Sequence, residues 1–163
     1  MLTAFRGINM GKSHNNTKTL NAAITHGNGN RAKELIAQMD ENELTKTDDS
    51  GRSPIDTAAG MGQSVLVTAI TNKSPNAIVS GNNLGETSLH QAAKEGAKIA
   101  QDIIFQGGDP LAVDKSGKNP LADANDQSTA GLISSKTPQP GYWVNLVEDE
   151  KKKGRGGGGK GQI

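Results

Sequence analysis

The chain has 163 residues, of which 33% are hydrophobic and 2% aromatic, and a formal net charge of +1. That is enough chain for one domain, but a single closed core of this length normally holds more aromatic residues. The absence of cysteine excludes disulfides and thiolate chemistry, and no apolar run approaches the length needed to span a bilayer.

In chain order, residues 1–16 are polar and aperiodic and read as a mobile leader. No apolar signal core is present, so a cytoplasmic location is the expectation. Residues 17–46 form a first unit. In it Thr19 can cap a helix carrying Leu20, Ala23 and Ile24, Gly27 ends that helix, and residues 31–39 place Ala32, Leu35, Ile36 and Met39 at helical spacing.

Residues 47–80 form a second unit, with Gly51 ahead of Ser53-Pro54-Ile55 and Ala58-Ala59. A capping residue directly before proline is the order that a helix start requires. A second helix over about residues 63–71 would carry Val65, Leu66, Ala69 and Ile70, although alone its β-branched content also suits a strand. Pro75 ends it.

Residues 82–112 form a third unit. Asn83 and Gly85 suit a turn needing positive φ, Thr87 caps a helix lined by Leu89, Ala92 and Ala93, and Gly96 stops it. Residues 114–135 form a fourth, with Gly117, Asn119-Pro120-Leu121 and Ala124, and a short second helix over about residues 128–133. Gly51, Gly85 and Gly117 stand 34 and 32 residues apart, and a period near 33 signals a stacked array of small units. That register also selects helix for residues 64–71.

On these residues the chain resembles the ankyrin repeat family. The closest match is Gly85-Glu86-Thr87-Ser88-Leu89-His90-Gln91-Ala92-Ala93 with Gly96, followed by Ile103-Ile104-Phe105 and Gly107-Gly108-Asp109-Pro110; Ser88 takes the place of the motif's proline. The resemblance covers residues 17–135 and implies an all-α repeat solenoid, helix-turn-helix units joined by β-turns. It also implies a structural role for His90. Small residues let such helices pack closely, so alanine takes the part aromatics play elsewhere. The repeat body is mildly acidic, with ten basic against fourteen acidic side chains, and both ends are basic.

Chemistry finds little support. Residues 154–160 satisfy G-x-x-x-x-G-K, but a phosphate-binding loop needs a strand before it and a helix after it, and only three residues follow Lys160. His14, His26 and His90 have no second ligand at metal spacing, and Asp56, Asp102 and Asp123 are scattered acids. No catalytic residue, metal or cofactor is expected, and the chain does not read as an enzyme.

What remains is a surface. The resemblance implies binding through the turn tips and the concave side of the inner helices. The tips are Asp49, Ser50 and Arg52, then Asn83, Leu84 and Glu86, then Lys115, Ser116 and Lys118. The inner-helix positions are Gly60 and Met61, Lys94 and Glu95, and Asp126 and Gln127. Met61 and Leu84, apolar on one face, would make a hot-spot pair. In the C-terminal tail, residues 136–163, Tyr142-Trp143-Val144 with Leu146-Val147 either covers the fourth unit or offers Tyr142 and Trp143 as anchors of a linear motif.

The expected function is a monomeric, non-catalytic protein-protein interaction module, an adaptor or inhibitor of a partner protein. One alternative is an effector of an intracellular bacterium with a C-terminal delivery tail. Another is nucleotide or nucleic-acid binding through the tail, where Lys151-Lys152-Lys153, Arg155 and Lys160 could attract phosphate.

Overall fold

The structure, a computed structural model, describes residues 13–137. Within them lie seven α-helices and no strand: α1 (Ser13–Thr25), α2 (Gly29–Gln38), α3 (Pro54–Gly60), α4 (Ser64–Lys73), α5 (Ser88–Glu95), α6 (Ala97–Phe105) and α7 (Gln127–Lys136). Short 3₁₀ turns occupy Glu43–Thr45, Pro75–Val79 and Pro120–Asp123. The first helix of each pair packs on the first of the next, α1 on α3, α3 on α5, and α5 on the Pro120–Asp123 turn. The second helices pack likewise, α2 on α4, α4 on α6 and α6 on α7. This all-helical, neighbour-to-neighbour arrangement is compatible with a helical repeat solenoid.

Local chemistry explains the punctuation. The N–H of Asp48 donates to the Arg52 carbonyl and the N–H of Gly51 to that of Asp48, while Asp48 Oδ1 accepts from the N–H groups of Ser50 and Arg52. Asn82 repeats all four bonds with Glu86, Gly85 and Leu84, and Asp114 repeats them with Lys118, Gly117 and Ser116. The glycine of each turn has positive φ, 77° at Gly51 and 78° at Gly85, a region that side-chain-bearing residues rarely occupy. Asn83 does not share it, since no residue other than glycine has positive φ among the described residues.

Helix starts follow from capping. Ser53 Oγ accepts from the N–H of Asp56, and Asp56 Oδ2 accepts in return from the N–H and hydroxyl of Ser53, with Pro54 opening α3. At α5 the N–H of Thr87 donates to His90 Nδ1. The core is aliphatic: Leu20, Ile24, Leu44, Ile55, Ile70, Leu89 and Ile103 are fully buried, and Ala58, Ala59, Ala92 and Ala93 allow close approach of α3 and α5.

Several expectations are corrected. The first helix starts at Ser13 and runs through Thr19, so that residue caps nothing and residues 13–16 belong to α1 and not to a leader. Residues 64–73 are helical, but the buried side chains are Leu66, Val67 and Ile70, and Val65 faces outward. In the fourth unit the shortening falls on the first helix. Asn119 caps only a 3₁₀ turn, because Asp126, whose side chain accepts from the N–H of Thr129, already starts α7 seven residues later. The second helix, expected to be short, runs ten residues to Lys136.

Candidate interaction surface

The tips of the three turns form one row. The N–H of Asn83 donates to the Gly51 carbonyl and the N–H of Lys115 to the Leu84 carbonyl, 3.2 and 2.9 Å, so consecutive tips are tied backbone to backbone. Asp49, Ser50, Arg52, Asn83, Leu84, Lys115 and Lys118 are all exposed along this row. Lys18 of α1 reaches Asp49 at 3.3 Å, with both side chains well exposed. Pairs this open are worth about 0–1 kcal/mol.

Glu86 behaves differently from the other tip residues. Its carboxylate accepts from Lys94 Nζ at 2.6 Å, Gln91 Nε2 at 2.7 Å and Asn82 Nδ2 at 3.1 Å. Burial works against its charged form, but the bonds from Lys94 and Asn82 outweigh burial and hold its carboxyl below the usual range. Glu86 and Lys94 therefore bind each other across the turn and the first two turns of α5. Glu95 is exposed beside Gly62.

Met61 and Leu84 are exposed, at 45% and 64%, but they do not make one patch. Leu84 lies at the turn tip, ahead of the start of its unit's first helix, whereas Met61 is the C-cap of α3. The seven residues of α3 rise about 10 Å, which by register separates the levels of the two. Leu84 is thus the apolar centre of the tip row, with Lys115 of the next tip bonded to its carbonyl, while Arg52 faces Lys18, Asn21 and His26 of the first unit. Tyr142 and Trp143, the basic tail and the phosphate-loop lookalike lie outside the described residues.

The histidine and the buried acid at the first-helix starts are committed to structure. His90 is fully buried; Nδ1 accepts from the Thr87 N–H, so Nε2 carries the proton and donates to the Lys118 carbonyl at 2.9 Å. Asp56 occupies the same position one unit earlier. It is 3% exposed, burial pushes its carboxyl up to about 7, and its Oδ1 has no hydrogen-bond partner. Exposed His26 holds its own helix end through Nδ1 and the Ala22 carbonyl. No group of three His, Cys, Asp or Glu residues suited to a metal occurs among the described residues. None of their helices is long and apolar enough to cross a membrane.

The opposite, outer face carried no signal in the repeat pattern. There α4 and α6 border a groove lined by Val65, Thr68, Thr71, Asp102, Phe105 and Gln106. Phe105 is 92% exposed and Val65 65%.

No protein-family model matches the sequence, and no curated protein matches it. Among solved structures, the chain is similar to a chain of the complex of the Bd0816 predatory endopeptidase from Bdellovibrio bacteriovorus with immunity protein Bd3460. The TM-score is 0.63 at 27% identity, over 72% of this chain and 63% of that chain, so this chain spans less than two thirds of the other's length.

Proposed function

We propose that this chain is an ankyrin-repeat protein-binding module, without chemistry of its own, that restrains a partner protein by occupying its surface. The observation that carries this is the tip row: three turns of one geometry, joined by backbone hydrogen bonds, present Asp49, Asn83 and Lys115 at one position, Arg52, Glu86 and Lys118 at another, and Leu84 where the other two turns have serine. A rigid row with variable chemistry suits recognition, and its rigidity lowers the entropy cost of association. Leu84, exposed beside Asn83 and tied to Lys115, is the anchor, and the cationic Lys115 favours an acidic rim on the partner.

The structural likeness supports an inhibitor over an adaptor. Both members of the similar complex are bound to a protein, and one is named an immunity protein. The complex also contains an endopeptidase, but a peptidase reading has little to rest on here: His90 has both ring nitrogens engaged and Asp56 is closed off from solvent.

The test is affinity capture with the intact chain and with Leu84→Glu combined with Lys115→Glu. Specific recovery of a partner by the intact chain and at least tenfold loss with the variant, at unchanged helical circular dichroism, is the expected result. Equal recovery by the two proteins would move the interface off the tip row.

A further inference from the structure

The outer groove carries an inference separate from the tip row. A single exposed apolar side chain needs no explanation. Here, however, the most exposed large apolar residue among those described, Phe105, shares a groove with exposed Val65. The groove continues past Ser64 and Val65 to a second depression bordered by Lys33 and Lys98. Lys98 is 89% exposed and held only by a 3.9 Å approach to Asp102, whose carboxylate already accepts from Ser64 Oγ at 2.6 Å. The groove thus has an aromatic end at Phe105 and, at its other end, aliphatic Val65 with basic Lys98 and Lys33 around it.

The sequence after α7 runs in the same sense, aromatic first and then aliphatic and charged. Tyr142-Trp143 comes first, Leu146-Val147 next, and Glu148-Asp149-Glu150 last. The direction also agrees. Buried Ile103 and Ile133 mark matching positions of the adjacent helices α6 and α7, which places Ser135 level with Phe105. The described chain therefore ends, at Thr137, level with the aromatic end of the groove and across α6 from it.

Reach is sufficient. Crossing α6 from α7 takes one to one and a half helix spacings, about 15 Å at 8–10 Å each. The five residues 138–142 extend to about 17 Å. Along the groove, the seven residues separating the level of Val65 from that of Phe105 rise about 10 Å. The three or four residues from Trp143 to Leu146-Val147 cover about 10–13 Å when extended.

We propose that residues 142–150 of this same chain dock along the α4/α6 groove, with Tyr142 and Trp143 against Phe105, Leu146 and Val147 against Val65, and the acidic triplet beside Lys98 and Lys33. The outer face is then closed by the chain itself, and the tip row remains the surface for other proteins.

Trp143 is the only tryptophan in the chain and reports directly on this contact. In the intact protein its emission is expected to be blue-shifted, and its quenching by acrylamide severalfold weaker, than in a synthetic peptide of residues 141–150. Phe105→Glu with Val65→Glu is expected to return both to the peptide's values at unchanged helical content. Lys33→Glu with Lys98→Glu is expected to raise quenching partway. Peptide-like emission in the intact protein overturns the proposal. So does a blue shift that survives the Phe105/Val65 variant, since the segment then lies elsewhere, or one that appears only as protein concentration rises, since the occupant is then a second copy.

Discussion

His90 Nε2 stands 2.9 Å from the carbonyl oxygen of Lys118, and the same ring accepts the Thr87 N–H through Nδ1. One side chain therefore closes the start of its own helix and clamps the turn of the next unit. His90→Ala removes both contacts, and each buried group left unsatisfied costs about 1–3 kcal/mol. The expected outcome is a clear fall in the urea midpoint, with early loss of amide protection at Lys118 and Asp114, whose N–H groups form that turn. An unchanged midpoint would mean that the clamp contributes nothing.

Asp56, at the equivalent position, makes stability depend on pH. Its folded value is raised from 3.8 to about 7, first by burial and further by nearby Glu86, against the bonds from Ser53. The unfolded chain ionises this carboxyl above about 4 while the folded chain keeps its proton until about 7. The stability it confers is therefore complete below about 4 and is lost as pH rises to 7, at most about 4 kcal/mol at 1.36 kcal/mol per unit. Glu86 and Asp48, both lowered, act in the opposite sense and at lower pH. Urea unfolding at pH 5 and pH 7.5 should show a drop for the intact chain that Asp56→Asn largely removes. Equal slopes in the two proteins would sink this assignment.

The third unit suggests how to repair the second. By register, Glu86 stands to Asp56 as Lys118 stands to His90, so Asp56→His should donate to the Glu86 carbonyl. A net gain of about 0.5–1.5 kcal/mol at pH 7.5 is expected from the added bond, measured by denaturant midpoint. A loss of stability would show that the two inter-unit spaces are not equivalent.

Gly85 has φ of 78°, and a Cβ there would lie 3.0 Å from the backbone nitrogen of Lys115, the group that donates to Leu84. Backbone cannot move aside as a flexible side chain can. Gly85→Ala should therefore destabilise by more than about 1 kcal/mol and displace the tip row. Thermal unfolding, and a shifted Lys115 amide resonance, check the two effects separately.

The fourth unit has a 3₁₀ turn where its predecessors have a helix, and α7 buries only Thr129 and Ile133. Fewer buried apolar contacts mean cheaper local opening. Hydrogen exchange is expected to be faster in residues 120–137 than in α3 and α5, and the reverse order would contradict this account.

The period, the capping residues and the turn glycines were legible in the sequence because they act through neighbours a few residues away. Ser53-Pro54, Thr87, Gly85 and Gly96 do in the fold what their residue types dictate. The turn-forming oxygens of Asp48, Asn82 and Asp114 belong to the same local chemistry, and their recurrence at the repeat period was a usable signal.

Tertiary structure alone decided which residues are available. Val65 and Val67 are alike in sequence, and only the placement of α2 and α6 beside α4 buries one and exposes the other. Glu86 looked like a binding residue until Lys94, eight positions on, closed over it. Met61 and Leu84 sit on one face by register, yet the length of a helix separates them. Asp56 and His90 occupy one repeat position, but the imidazole has a second polar atom that spans to the next unit and the carboxylate leaves Oδ1 without a partner. Local rules fixed the scaffold, and packing at long sequence separation selected the surface left for recognition.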